Sequence, residues 1–153
     1  MSLDSLNKWL TLLANFGVLA GIIFLGIEMQ QNTNAIQSST AQAVTSISSN
    51  SLGELASNER MSEIRLKGDL GDSSLSELEA LQYFALNRNF WLTFQNVFFQ
   101  YQIETVRPEV WENYHRIICD DFTYRPGLKN TWDVHRRILN PEFVDIVESC
   151  ESF

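Results

Sequence analysis

Hydrophobic and polar positions fall into three regimes along this chain. From Trp9 to Ile27 the sequence WLTLLANFGVLAGIIFLGI has no ionisable side chain, and only Thr11 and Asn15 interrupt it. A helix built from it is apolar all round rather than striped. At 1.5 Å per residue it spans about 28 Å, close to the hydrocarbon thickness of a bilayer, about 30 Å. Lys8, Trp9 and Glu28 suit the two interfaces. A cleaved leader would have a shorter apolar core, a more basic start than MSLDSLNK and a small-residue cleavage site, for which Thr33-Asn34-Ala35 is a faint candidate. A buried helix of a soluble bundle would meet a charge sooner. The expected element is a transmembrane helix over 9–27 behind a flank at 1–8.

The second regime, 28–56, lacks charge between Met29 and Gly53 but is rich in Gln, Asn, Ser and Thr. Ile36, Ala43, Val44, Ile47 and Leu52 or Leu55 recur at helical spacing, so the helix should continue with a thin apolar stripe. Its Ser and Thr content lowers helix propensity and leaves a flexible stalk as the alternative, with Gly53 marking a bend.

The third regime, 57–153, carries strong helical periodicity. A short helix over Ser57 to Leu66 should end in the loop residues KGDLGDSS, and a long one should start at a Ser74 or Ser76 cap, with Glu77 and Glu79 at its positive end, and run to about Glu104. Tyr83, Phe84, Phe90, Trp91, Phe94, Val97, Phe98 and Tyr101 fall on one broad face, and Leu81, Leu92, Phe99 and Ile103 form a second stripe. Pro108, Pro126 and Pro141 each precede an apolar-periodic run, the placement that suits a first helical turn. They predict helices at 108–121, 126–139 and 141–150. No segment alternates with period two, so the fold class is all-α: a single transmembrane helix continuing into a long helix, then a compact bundle around a central aromatic-rich helix.

Composition changes this picture only in detail. The chain has 153 residues, enough for one ordinary core, and its hydrophobic share of 44% argues against disorder. Eleven Lys+Arg against 19 Asp+Glu give a formal charge of −8, which argues against nucleic acid as a partner. From Trp9 to Gly53 the only charge is Glu28, so the acidity belongs almost wholly to residues 54 onward. Lys8 is the one basic residue near the apolar span before Arg60, which places the N-terminus in the cytoplasm and the C-terminal domain outside it.

Candidate chemistry is sparse. Ala14, Gly17 and Gly21 share one face of the span and Asn15 offers a polar group at membrane depth, a pattern for homodimerisation through close helix approach. Asn87 sits in the main apolar face of the central helix and reads as a polar lock between helices or as a pocket group beside Tyr101, His115 and His135. Glu112 and His115 have Glu-x-x-His spacing, but Trp132 stands where a second copy before His135 would need its carboxylate, so no dinuclear centre is expected. Cys119 and Cys150 form no CxxC motif; a bridge between them would require an extracytoplasmic domain and touching helices. Asp120-Asp121 reads as a solvated helix end, and Arg88 as a solvent-facing or ion-paired residue. No catalytic motif, metal set or cofactor site is expected.

The anchor LANFGVLAGIIFLGIEMQQNTNAI, the central FQNVFFQYQ, the Trp111 helix and the closing NTWDVHRRILNPEFVDIV resemble a family of small, uncharacterised bacterial proteins with an N-terminal membrane helix and a helical domain. Two departures are a missing basic residue at Met29 or Gln30 and Glu104 where a glycine often stands. The resemblance implies the bacterial inner membrane and no assigned activity. The expected role is noncatalytic, a membrane-anchored interaction or scaffolding module with an unknown protein partner; the alternative is a small-ligand sensor. A closed core around Asn87 favours the first, and a roomy cavity with convergent polar groups favours the second.

Overall fold

The computed structural model describes residues 3–150. It is all-α, with no strand among the described residues: α1 (Leu3–Ser57), α2 (Glu59–Asp69), α3 (Glu77–Gln102), α4 (Pro108–Tyr124), α5 (Pro126–His135), a 3-10 turn (Arg136–Ile138) and α6 (Pro141–Ser149). Two compact units divide the chain between Ser38 and Ser39, inside α1.

The first unit is helix throughout its described residues. Its apolar stretch is long and apolar enough to cross a membrane, and none of that window is buried in the protein. Phe16, Leu19, Ile22 and Phe24 are all about three-fifths exposed. Gly17 and Gly21 leave an open face, where an added Cβ would meet nothing within 4 Å.

The second unit takes in the C-terminal part of the expected stalk. Val44 is buried with the main hydrophobic cluster, and Ser48 Oγ lies 2.8 Å from Tyr114 Oη on α4. Thr45 donates to the Ala41 carbonyl, which satisfies its hydroxyl within the helix, and Gly53 causes no break. Packing thus overrides the weak propensity of this segment.

Local signals account for the remaining ends. Asn58 caps α2 by accepting from the Met61 amide, and Ser76 with Glu79 forms a capping box on α3. The three prolines occupy the first turns of α4, α5 and α6, and Asn140 also caps α6. The turn after α3 places Glu104 at φ +60°, a left-handed conformation that favours glycine. The interior is aromatic: Trp91 is fully buried, 4.7 Å from Trp132 and 6.0 Å from Phe122 between ring centroids. Close approach of α2, α3 and α5 depends on two glycines. An added Cβ at Gly68 would strike the Tyr83 ring, and one at Gly127 would strike the Gly68 carbonyl oxygen.

Candidate binding groove

One face of α3 is sealed, while the neighbouring face opens onto a groove of about 810 Å³, a volume in the range of small-molecule sites. Leu86, Phe90 and Phe94 of α3 and Ile117 of α4 supply apolar surface, joined by Leu52 and Leu55 of α1 and Met61 of α2. Ser48, Ser51, Asn58, Ser62, Asn89 and Thr93 supply short polar groups around it. These hydroxyls and amides are too small to fill the space that a Leu or Phe in their place would occupy.

Four charges close one end. Asp69 Oδ2 accepts from Arg65 Nε at 2.8 Å and from an Arg125 terminal nitrogen at 3.0 Å, and Arg125 Nε reaches Asp121 Oδ1 at 3.0 Å. Tyr83 donates to Asp69 Oδ1 at 3.0 Å. Burial pushes the Tyr83 phenol up to about 12, with Asp69 adding to the rise and the Asn87 amide opposing it, so it remains a donor. Burial also raises Asp121 above the ordinary carboxylate value, against the pull of Arg125. The expected solvated Asp120-Asp121 end is therefore split: Asp120 is exposed, whereas Asp121 turns inward to an ion pair. Two arginines and two aspartates leave this end with no net charge.

Asn87, Tyr101, His115 and His135 line none of this groove. Asn87 is fully buried and donates to Thr131 Oγ1 at 3.3 Å, while its Oδ1 has no partner among the described residues. His135 is equally buried and stacks on Phe84 at 4.4 Å, and both ring nitrogens lack a hydrogen-bond partner there. Burial lowers its pKa and the nearby Arg88 charge adds to the effect. Tyr101 and His115 each stack on Trp111 at 5.7 Å. Arg88 is exposed, with its guanidinium over Phe84. Cys119 and Cys150 are joined in a disulfide that ties α4 to the end of α6.

The groove residues lie far apart in sequence, and the serines among them look like low-complexity linker. Arg125 carries the one readable signal: it precedes Pro126 and stands four residues after Asp121, an (i, i+4) ion-pair spacing. No family model matches the chain, and neither does any curated protein or solved structure.

Proposed function

We propose that this chain is a noncatalytic binding module, tethered to the bacterial inner membrane by the apolar segment of α1, whose helical unit takes up a small, uncharged amphipathic ligand. The groove carries this reading. Its apolar wall suits a hydrocarbon or ring body, its hydroxyls and amides suit hydrogen-bonding substituents, and its two arginines are already paired with aspartates while Glu54 adds a negative charge, so nothing in it favours an anionic head. The disulfide supports an extracytoplasmic side for the helical unit, because such bonds persist in oxidising compartments. Native mass spectrometry of the full chain released from nanodiscs tests it. Wild-type protein should retain a small molecule that Ser51→Trp, which fills the groove, lacks while keeping its near-ultraviolet ellipticity. Equal retention by both proteins, or by neither, sinks the reading.

A second reading, a homodimeric scaffold, draws on the second stripe of α3. Leu81, Leu92, Phe99 and Ile103 are exposed, and with Ala85, Arg88 and Asn96 they form one face spaced symmetrically about Leu92. An antiparallel second copy centred there would set Leu81 against Ile103, small Ala85 against large Phe99, and Arg88 against Asn96, the self-complementarity a two-fold interface needs. Leu92→Cys should then cross-link to its own copy in the native membrane. Ala14, Asn15, Gly17 and Gly21 offer a separate contact within the bilayer. Unchanged cross-linking in a Gly17→Ile, Gly21→Ile double variant would remove that contact from the scheme.

A further inference from the structure

Away from the groove, three groups with metal-ligand chemistry converge where α4 meets α6. His115 Nε2 lies 3.5 Å from Cys119 Sγ and 4.0 Å from Cys150 Sγ. His115 and Cys119 are one helical turn apart, and the stacked Trp111 ring fixes the imidazole plane at 11° to its own. In a tetrahedral zinc site, bonds of about 2.3 Å to sulfur and about 2.0 Å to nitrogen place a nitrogen and a sulfur about 3.6 Å apart and two sulfurs about 3.8 Å apart. Both nitrogen–sulfur separations here are already near that value. Only the two sulfurs need to separate.

We propose that the reduced Cys119–Cys150 pair, with His115, forms a binding site for a single zinc ion, and that the disulfide is the closed, metal-free form of that site. Cys119 is the entry point, because it is partly exposed whereas Cys150 is 1% exposed. A dithiol reductant attacks Cys119 Sγ, breaking the disulfide and freeing Cys150; its second thiol then displaces Cys119 and the reductant leaves as its own disulfide. The pair gains two electrons and two protons. Metal binding returns those two protons to solvent and leaves two thiolates and a neutral imidazole on the ion, with the fourth position open to water. Opening the bond does not release α6, which stays docked through buried Phe143, Val144 and Val147.

The test uses the full chain in detergent micelles, reduced anaerobically with a phosphine and titrated with cobalt(II) as the probe, followed by displacement with zinc. Reduced wild-type protein should bind one cobalt per chain with a thiolate-to-cobalt charge-transfer band and tetrahedral visible bands, and the oxidised protein should show neither. Cys119→Ser removes one of the two thiolates and should lower the charge-transfer intensity at saturating cobalt by at least about half, with weaker binding. His115→Gln keeps both thiols and should weaken binding at least about tenfold, the lower end of what losing even an outer partner of a ligand does. It should also shift the visible bands. No cobalt uptake by the reduced protein, or His115→Gln matching wild type in affinity and spectrum, overturns the proposal.

Discussion

Adjacent residues of α3 look onto two different worlds. Trp91 is fully buried against Trp132 and Phe122, with Leu128 in the same cluster. Phe90, one residue earlier, lies edge-on to Trp91 at 4.9 Å but faces the groove. Both faces are aromatic, so α3 itself does not decide which is sealed. The opposing helices do. α4 and α5 present large apolar side chains to Trp91, whereas on the groove side α1 and α2 mix Leu52, Leu55 and Met61 with Ser48, Ser51 and Ser62, and Asn58 stands between them. A cavity persists where its lining cannot collapse and its polar groups resist drying.

That contrast gives the largest expected effect. Trp91→Ala should lower unfolding free energy by about 3–5 kcal/mol, whereas Phe90→Ala should lower it by about 1–2 kcal/mol, because that ring is partly rather than fully buried. Denaturant titrations of the full chain in micelles, followed by near-ultraviolet ellipticity, measure both. Equal losses would mean that the groove face is as tightly packed as the core. Gly127→Ala comes next, at about 2 kcal/mol. The added methyl meets a backbone carbonyl, not a flexible side-chain end, and α2 must move off α5. A change below about 0.5 kcal/mol would show that this contact can relax.

The sealed side also holds a pH response. His135 titrates below its ordinary 6.5, first because burial disfavours its charged form and then because Arg88 repels it. The unfolded chain therefore takes up a proton before the folded one does, and stability falls as pH drops below about 6.5, by up to about 1.4 kcal/mol per pH unit, until the folded-state value is reached. Asp121, raised above the ordinary carboxylate value, acts in the opposite sense, because its folded form takes up a proton before the unfolded one does. His135→Leu should flatten the profile just below pH 6.5; an unchanged slope would assign it to another group.

The helices were legible because their signals are local: the Ser76/Glu79 box, prolines in three first turns, and faces such as Trp111, Tyr114, Ile118 and Phe122. The groove was not, because it is made by complementarity between distant segments. Asp69, Asp121 and Arg125 acquire meaning only when α2 and α4 meet, and Ser48 and Ser51 read as linker until Tyr114 and Phe94 stand opposite. Asn87 and His135 drew attention because polar residues on apolar faces are conspicuous. Such a pattern marks burial, and the structure buries both away from the groove. The chain turns after Ile103 at φ +60° through Glu104, held by the Glu104 and Thr105 amides on the Tyr101 and Gln100 carbonyls.

The smallest effect separates rigidity from openness on the groove side. Gly53 lies inside α1 between residues that line the groove, and a Cβ there would meet nothing within 4 Å. Gly53→Ala should therefore raise stability by about 0.8 kcal/mol, the difference in helix propensity, with no steric opposition. It is the mirror image of Gly127→Ala: the same methyl, added where packing leaves room. If stability rises and ligand retention in native mass spectrometry is unchanged, the groove is a preformed gap and α1 serves as a stiff wall. If stability rises while retention falls, entry requires α1 to bend at Gly53, and the open face of α3 is maintained by helix flexibility as well as by the shortness of its serines. A loss of stability would contradict both, because it would require a contact at Gly53 that the structure does not contain.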